Sequence, residues 1–368
     1  MRRTRLLIPT TALIVGLVLT GCSGQDAQES PSAETPSSDQ SASPGPGETG
    51  AEAPAEPAVV VQGLEAPWSV TFVQDTALVS ERDSGRVLEV MVDGGTREIG
   101  TVPEVRTGGE GGLLGLAVRD TQLYAYSTGE ESNRIHRFAL EGGTGQLSLG
   151  EPELVLDGIP RAGNHNGGRI AFGPDGMLYA TTGDAGQPEA AQDRESLAGK
   201  ILRMTPDGEV PEDNPFEGSL VYSSGHRNPQ GLAWGLDGTL YASEFGQNTW
   251  DELNVIEPGA NYGWPEVEGS AGREGFTDPV QQWAPAEASP SGIAVHGDSL
   301  WIAALRGSRL IEVPLDDLGS SNEHWVDEHG RLRDAVSTPD GELWVLTNNT
   351  DGRGSPGPQD DRLLRFGE

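Results

Sequence analysis

The sequence predicts an all-β protein built as a six-bladed β-propeller, on the basis of three observations. Glycine and proline are abundant, with 52 and 26 residues, while only 6% of the chain is aromatic. Helical periodicity is hard to find, and short apolar runs bounded by Gly, Asp, Asn and Pro recur instead, which is typical of strands joined by turns. The third observation is a repeated unit of an apolar residue, a short polar turn and an alternating strand, which begins at Phe72, Val118, Phe172, Trp234, Val295 and Ser337.

These units lie roughly 40 to 60 residues apart, which is the spacing of four-stranded propeller blades. Six blades would surround a central channel, and the ends of equivalent strands would point to one face. We therefore expect Asp184, the segment 244–247 and Arg306, which follow three of these strands, to converge on one pocket. An array of β-sandwiches and two separate β domains are the alternatives.

Residues 1–21 have the form of a lipoprotein signal peptide. Three early arginines precede the apolar run Ala12 to Leu19, which closes on Leu-Thr-Gly-Cys at Cys22. The run is short for a membrane span. Resemblance to bacterial lipoproteins implies cleavage before Cys22 and acylation of that cysteine, so we expect an extracytoplasmic protein anchored to the membrane by lipid. An ordinary signal peptide and an uncleaved anchor are the alternatives. Cys22 is the one cysteine of the chain, so no internal disulfide is expected.

Residues 22–57 and residues 58–368 differ sharply in composition. The first segment is rich in Ser, Pro, Glu and Ala, and such a segment buries too little apolar surface to offset its ordering entropy, which predicts a disordered tether. The second is long for a single-core domain but ordinary for a repeat protein, so we assign it to the propeller. The formal net charge of −33 argues against a nucleic-acid partner, since phosphate binding needs a basic surface.

Two polar positions bracket the third repeated hairpin. His165 lies in the loop GNHNGGR before the hairpin, and Asp184 follows its second strand. Loops held by rigid strands commonly carry chemistry, and an imidazole there is suited to act as a general base. The alternative is a histidine that is simply hydrogen-bonded within a tight loop.

Three arginines stand in patterns that suit anion binding. Arg227 and Asn228, in GHRNPQG, combine a planar cation with an amide that can grip a carboxylate or stabilise a developing oxyanion; a structural arginine between blades is the alternative. Arg331 and Arg333 alternate in RLRDAV and so face one side of a strand. They suggest a bidentate anion site, although pairing with neighbouring acids is also common.

The segment from Ser243 to Gly269 carries a candidate calcium site. Asp251 and Glu252 offer carboxylate oxygens, and the glycine-rich loops free backbone carbonyls, the ligands that calcium prefers. The sequence has no HExxH, no Cys/His cluster, no phosphate-binding glycine loop and no GxSxG. Zinc hydrolysis, nucleotide chemistry and serine hydrolysis are therefore not indicated.

The ordered series APWSVTF, GEGGLLGLA, NHNGGRI, GDAG, GHRNPQGLA, SEFGQNTWDELN, NYGWP and RLRDAVSTPDG resembles the glucose/sorbosone dehydrogenase family of quinoprotein sugar dehydrogenases. The resemblance covers essentially the whole region after the tether. It implies a six-bladed propeller that uses pyrroloquinoline quinone (PQQ) and calcium to oxidise aldoses to lactones. Hydride would pass to the quinone and electrons onward to an unidentified acceptor.

The resemblance also implies roles for individual residues. His165 matches the general base and Arg227 the residue that stabilises charge on the quinone, with Asn228, Arg306, Arg331 and Arg333 binding the cofactor. The carbonyls of Gly246 and Gln247 match ligands of the cofactor's calcium, and Glu252 with the carbonyl of Tyr262 a second calcium. Glu110 and Asp184 match positions near the substrate hydroxyls.

This chain departs from the family pattern at three positions in or next to this set. Arg306 stands where the family has a lysine, Asn164 where the glucose enzyme has an acid, and Glu110 where that enzyme has an amide. The resemblance therefore implies an aldose without singling out glucose. A non-catalytic, calcium-stabilised propeller that binds a sugar or a cell-surface partner and a calcium-dependent lactonase are the rival functions. The combination of His165 and Arg227 with cofactor arginines favours the redox function.

Overall fold

The computed structural model describes residues 57–367. The predicted signal peptide, Cys22 and all but the last residue of the predicted tether lie outside the described residues. Within residues 57–367, no helix is both long enough and apolar enough to span a membrane.

The described chain forms six antiparallel sheets, and the first strand, β1 (Ala58–Gln62), belongs to the last of them. The first three blades follow in chain order. Blade 1 contains β2 (Pro67–Val73), β3 (Thr76–Glu81), β4 (Arg86–Val90) and β5 (Thr96–Thr101); blade 2 contains β6 (Leu113–Arg119), β7 (Gln122–Thr128), β8 (Asn133–Glu141), the short β9 (Ser148–Leu149) and β10 (Glu153–Ile159); and blade 3 contains β11 (Ile170–Phe172), β12 (Leu178–Thr182), β13 (Lys200–Met204) and β14 (Val221–Ser224).

The last three blades repeat the same arrangement. Blade 4 contains β15 (Pro229–Trp234), β16 (Leu240–Glu244), β17 (Asp251–Ile256) and β18 (Gln281–Trp283); blade 5 contains β19 (Pro290–His296), β20 (Ser299–Ala304), β21 (Arg309–Pro314) and β22 (Asn322–His324); and blade 6 contains β23 (Leu332–Ser337), β24 (Leu343–Thr347) and β25 (Arg362–Phe366). Blade 6 is completed by β1, which pairs antiparallel with β25. The strand at the start of the described chain therefore closes the ring.

The inner strands of the six blades form a closed ring, because β2, β6, β11, β15, β19 and β23 each contact the inner strand of both neighbouring blades. Each repeated unit found in the sequence is the hairpin between the first and second strands of a blade. The prediction of a six-bladed propeller is confirmed, and the sandwich and two-domain alternatives are wrong. Because the ring is closed, every blade packs between two neighbouring blades, and only short, protected strand edges remain.

The hydrophobic core is divided into six clusters, one at each interface between adjacent blades. The cluster between blades 2 and 3, for example, includes Tyr126 and Leu202, which are fully buried. The cluster between blades 6 and 1 includes Val61, Leu363 and Val79, so the closing strand is held by apolar packing as well as by its ladder. The second strands, such as β12, β16 and β20, are buried along their whole length because a neighbouring blade packs on each face of the sheet. Outer strands such as β5, β10 and β22 are more exposed.

A 3-10 helix, Pro188–Ala191, lies in the loop after β12 and is fixed from below by the single lysine of the chain. Lys200 is fully buried, and its Nζ donates to the carbonyls of Ala190, Ala191 and Ala198 at 2.8, 3.0 and 2.6 Å. Burial lowers the pKa of Lys200 to about 8. The three carbonyls satisfy its donors and hold this loop against the blade.

Candidate active site

A cavity of about 270 Å³ opens where the loops after several second strands meet. Six arginines line it, together with the carboxylates of Glu110 and Asp251. The arginines are Arg82, Arg227, Arg306, Arg331, Arg333 and Arg353. A cavity of this composition in a chain with net charge −33 concentrates positive potential at one point and favours an anionic ligand.

Trp68 lines the cavity and contacts two guanidinium groups. The guanidinium carbon of Arg169 is 4.4 Å from the ring centroid, and that of Arg333 is 5.7 Å from it. Arg169 Nη1 also bonds Asp334 Oδ2 at 2.9 Å, and both side chains are buried. These contacts hold the Trp68 ring in place, since cation–π contacts strengthen when they are desolvated.

His165 is held in one orientation by its backbone and its ring. Its φ is +55°, a left-handed conformation that is uncommon for residues with a side chain. Its backbone N–H donates to Glu110 Oε2 at 2.9 Å, and its Nδ1 lies 2.7 Å from Asp184 Oδ1. Gly183 permits this approach, since a Cβ there would lie 2.1 Å from the His165 carbonyl oxygen. Since Nδ1 is occupied, Nε2 is the ring nitrogen left for a ligand in the cavity.

Asp184 lies behind His165 and is completely buried. Its Oδ1 also accepts the Gly186 N–H at 2.8 Å, and its Oδ2 accepts the Trp264 Nε1–H at 2.9 Å. Burial raises the pKa of Asp184, but these hydrogen bonds, led by that of His165, outweigh burial and hold the pKa below its usual value. The carboxylate is therefore ionised and keeps the proton of the imidazole on Nδ1.

This placement differs from the sequence prediction that Asp184 is a substrate-binding residue. Both of its oxygens are bonded to protein groups, and it is not part of the cavity lining. The predicted convergence of loops is observed for residues 245–247 and for Arg306, which line the cavity, but not for Glu244, which does not line it.

Arg227 is fixed by the loop after β16. Its Nε and Nη2 donate to Gln247 Oε1 at 2.9 and 2.6 Å, and its Nη1 donates to the Phe245 carbonyl at 3.1 Å. Its guanidinium lies 5.5 Å from the centroid of the Trp264 ring. Burial lowers the pKa of Arg227, although the nearby carboxylates, Asp184 foremost, oppose the effect. The geometry leaves a fixed cation on the cavity wall beside His165.

Arg331 and Arg333 both line the cavity, as expected for two arginines that face one side. They also share one buried carboxylate, which the sequence did not predict. Arg331 Nη2 lies 3.0 Å and Arg333 Nη2 3.8 Å from Asp351 Oδ2. Burial raises the pKa of Asp351, but Arg331, the backbone N–H of Arg353 and Arg333 together outweigh burial and hold the pKa below its usual value. The Nε of Arg331 is buried and has no hydrogen-bond partner. An unsatisfied buried donor is costly, so this atom marks a place for a ligand acceptor.

Asn228 shows the same feature, although it does not line the large cavity. The side chain is fully buried, and its Oδ1 accepts the Gly167 N–H at 3.0 Å, but its Nδ2 has no partner. Arg306 is exposed at the cavity and, within the described residues, has no hydrogen bond or ion pair to protein. These two side chains therefore offer donors that the protein itself does not use.

Glu110 and Arg353 form an ion pair in the cavity wall. Arg353 Nη1 lies 3.2 Å from Glu110 Oε1, and Glu110 Oε2 accepts the His165 backbone N–H. The arginine side chain is 48% exposed and the glutamate side chain 17%. The predicted substrate position of Glu110 is therefore directly beside His165, and its carboxylate is already partly neutralised.

The residues that the resemblance assigned to calcium lie around a second, much smaller cavity and the adjoining loop. Glu252 and Tyr262 line the small cavity with Gly246, whereas Gln247 lines the large one. Glu252 is buried opposite Glu244 in the β16–β17 ladder, and burial, with Glu244, raises the pKa of Glu252 to about 8. Among the described residues, no three His, Cys, Asp or Glu side chains are arranged to hold a metal. A cation here would depend on carbonyl oxygens as well.

The family model described as Glucose / Sorbosone dehydrogenase matches residues 64–364. The chain belongs to the glucose/sorbosone dehydrogenase family. The structure of the PQQ-bound form of aldose sugar dehydrogenase from Streptomyces coelicolor is similar to it with a TM-score of 0.80 and 51% sequence identity, covering 84% of this chain and 96% of that one.

Two curated proteins extend the comparison. Quinoprotein glucose dehydrogenase B of Acinetobacter calcoaceticus is 34% identical over 259 aligned residues, and the match covers 59% of this chain and 54% of that protein. Aldose sugar dehydrogenase YliI of Escherichia coli (strain K12) is 29% identical over 346 aligned residues, covering 80% of this chain and 90% of that protein. The family resemblance drawn from the motifs is thus confirmed.

Sequence reasoning missed several residues of the site of this glucose/sorbosone dehydrogenase family member. Asp351 stands in NNTDGRG, where an Asp-Gly pair is read most simply as a turn. Trp264, in NYGWP, carried only a motif match, and nothing local connected it with Asp184. Arg82 directly follows the second strand of blade 1, the position that marked Asp184 and Arg306, so the same spacing could have found it. Arg353 lies beyond the last motif, and no spacing signal marked it; the surplus of arginine over lysine was the available hint.

Proposed function

We propose that this protein oxidises aldose sugars at the anomeric carbon to lactones, using PQQ and calcium, and passes the electrons to a separate acceptor. One arrangement carries the proposal. The large cavity places a histidine that is oriented by a buried carboxylate beside a wall of arginines. This combination serves a base-assisted oxidation that depends on an anionic cofactor.

The donors of the cavity fit PQQ, which is a planar quinone carrying several carboxylates. Arg331 has an unsatisfied Nε, and Arg306 has no protein partner in the described chain. Arg333 is buried, and its nitrogens already bond Asn348 and Gln230, so it contributes positive charge rather than free donors. Guanidinium groups bind carboxylates in a bidentate manner. We assign Arg306, Arg331 and Arg333 to the carboxylates of the cofactor and the free Nδ2 of Asn228 to one of its acceptors.

PQQ, when bound, supplies the quinone that accepts the hydride released from the anomeric carbon. His165 Nε2 takes the proton of the anomeric hydroxyl, because Nδ1 is engaged with Asp184. The electron pair of the broken O–H bond then forms the carbonyl of the lactone. Asp184 compensates the positive charge that the imidazole acquires, since it is ionised and 2.7 Å away. General-base assistance of this type contributes about 10²- to 10⁴-fold.

Arg227 and Glu110 have complementary tasks in this proposal. Arg227, held by Gln247 and Phe245, would present positive charge to the quinone, on which negative charge develops during the oxidation. Glu110, beside His165, accepts a hydrogen bond from a sugar hydroxyl. The ion pair of Glu110 with Arg353 leaves the other guanidinium nitrogens of that arginine to donate to neighbouring hydroxyls.

The proposal includes two calcium ions. The carbonyls of Gly246 and Gln247 would serve the ion at the cofactor, and Glu252 with the Tyr262 carbonyl would serve a second ion. The small cavity beside Glu252 has a volume of about 10 Å³, room for a single small ion or water. A buried carboxylate whose pKa is raised to about 8 gains from a cation that offsets its desolvation.

The test is a titration of the protein with PQQ in the presence of calcium, followed by aldoses and an electron-accepting dye. Stoichiometric binding and sugar-dependent dye reduction are expected. Calcium-dependent binding without dye reduction would favour the non-catalytic propeller. Hydrolysis of a lactone without any electron acceptor would favour the lactonase.

We further propose that the protein is an extracytoplasmic lipoprotein acylated at Cys22. The support is the sequence alone, in which a basic start and an apolar run end on Leu-Thr-Gly-Cys. Metabolic labelling with a fatty acid in a bacterial host should label the wild-type chain and leave Cys22→Ser unlabelled. Equal labelling of both proteins would contradict the assignment.

A further inference from the structure

One carboxylate oxygen of Glu268 accepts hydrogen bonds from four successive backbone N–H groups. The donors are the residues Gln247, Asn248, Thr249 and Trp250, at 2.6, 3.0, 3.0 and 3.2 Å from Oε1. Successive N–H groups that converge on one anion form a nest. Here the anion is a side chain of the protein, and the nest belongs to the loop between β16 and β17.

The carboxylate of Glu268 is held in place by the surrounding backbone, unlike that of its near neighbour Glu266. The residue is partly buried, and its Oε1 is enclosed by the four backbone N–H donors. Glu266, two residues earlier, is different, since it is exposed and pairs only with the exposed Arg273 at 2.6 Å. The two glutamates therefore make a matched pair, one bound in a nest and one on the surface.

The loop held by Glu268 is the loop that holds Arg227. Gln247 is the first residue of the nest, and its side-chain oxygen accepts both the Nε and Nη2 donors of Arg227. The carbonyl oxygen of Phe245, on the same loop, accepts a hydrogen bond from Arg227 Nη1. Asp251 fixes the start of the loop by accepting the Gly246 N–H at 2.8 Å. Without Glu268, four amides would lose their acceptor and the partner of Arg227 would lose its fixed position.

We infer that Glu268 is a positioning residue that, through the loop 247–250, fixes the guanidinium of Arg227 at the cavity wall. Glu268 does not line the large cavity; it lines the small second cavity, which Arg227 also lines. It therefore acts from outside the large cavity, through the loop with Gln247 and through the attraction between its charge and Arg227. The kinetic part of this inference rests on the proposed function, whereas the structural part does not. Charge-assisted hydrogen bonds to a carboxylate are about twice as strong as neutral ones, so both the acceptor oxygen and its charge matter.

The experiment compares wild-type protein with Glu268→Ala, Glu268→Gln and the surface control Glu266→Gln. Amide hydrogen exchange is measured on the protein without cofactor, together with the NMR signal of the Arg227 Nε–H. Glu268→Ala should speed exchange of the amides of residues 247–250 at least tenfold and broaden or shift the Arg227 signal. Glu268→Gln keeps an acceptor oxygen and should give an intermediate effect. Glu266→Gln should match the wild type.

Steady-state kinetics with PQQ and an aldose supply the second measurement. Glu268→Ala should lower kcat about tenfold or more with little change in the KM for the sugar, and Glu268→Gln should restore part of the loss. Exchange in the β16 strand serves as the fold control, since its amides should stay protected in every variant. Unchanged exchange at 247–250 in Glu268→Ala would overturn the inference whether or not the protein oxidises sugars. So would faster exchange with an unmoved Arg227 signal. If wild-type protein shows no turnover, the proposed function fails while the exchange and NMR results still decide the role of Glu268.

Discussion

Replacing Asp184 with Asn tests the pair at the centre of the proposed mechanism. The substitution keeps the size of the side chain but removes its charge and replaces one acceptor oxygen with a donor. Asp184 Oδ1 accepts from His165 and Gly186, and Oδ2 accepts from Trp264. An amide cannot satisfy all three donors, so each of its two orientations leaves one conflict.

The expected fall in kcat follows from these two orientations of the amide. With the amide oxygen toward His165, the amide nitrogen faces the Trp264 N–H, and the imidazole loses its charged partner. With the nitrogen toward His165, the Gly186 N–H loses its acceptor. Nδ1 of His165 must then accept, the ring proton moves to Nε2, and the base is lost. A buried donor without an acceptor costs about 1–3 kcal/mol, so neither orientation dominates. We expect kcat to fall about 10- to 100-fold, because the charge on the partner is lost in one orientation and the base in the other.

A second substitution separates this explanation from simple damage to the fold. Trp264→Phe keeps a ring beside Arg227 but removes the N–H that conflicts with the amide. We therefore expect Asp184→Asn with Trp264→Phe to be several times faster than Asp184→Asn alone, although each change removes a native hydrogen bond. The assay is dye-coupled turnover with saturating PQQ, with thermal unfolding as the fold control. Strictly additive losses in the double variant, or full activity in Asp184→Asn, would refute the reasoning.

Three further predictions address the base, the cofactor and the buried carboxyl. His165→Ala should abolish turnover while PQQ titration still gives near-normal affinity, and retained turnover would remove His165 from the mechanism. Arg331→Ala should weaken PQQ binding about 10- to 100-fold, as expected for a lost charge-assisted pair of about 1.5–3 kcal/mol; an unchanged affinity would contradict its assignment. In calcium-free protein, burial and Glu244 raise the pKa of Glu252 from 4.5 to about 8. The folded state then binds a proton that the unfolded state releases, so the free energy of unfolding should fall as pH rises from about 4.5 to about 8. Denaturant titrations across this range should show a shallower fall for Glu252→Gln, and equal slopes for both proteins would be the contrary result.

The order of the elements was open to sequence reasoning because it depends on local chemistry. Each blade is indicated in the sequence by a polar turn such as Pro174-Asp175-Gly176. In the structure, Gly176 adopts φ +76° and Asp175 Oδ1 accepts the Met177 N–H at 3.1 Å. Such turns are specified by the residues within them. The alternation of Arg331 and Arg333 likewise predicted their common face, because strand geometry alone fixes it.

The sequence by itself determined the six blades, the pocket-forming loops and the family to which the chain belongs. The tertiary structure alone decided that Asp184 supports His165 from behind, that Asp351 is shared by two cavity arginines, and that Glu268 holds the loop of Arg227. Each of these pairs joins two loops of one blade: the loops flank β11–β12 in blade 3, β23–β24 in blade 6 and β17 in blade 4. Their contacts depend on the conformations of those loops, such as the left-handed backbone of His165, and no local residue pattern encodes which side chains then meet across the blade.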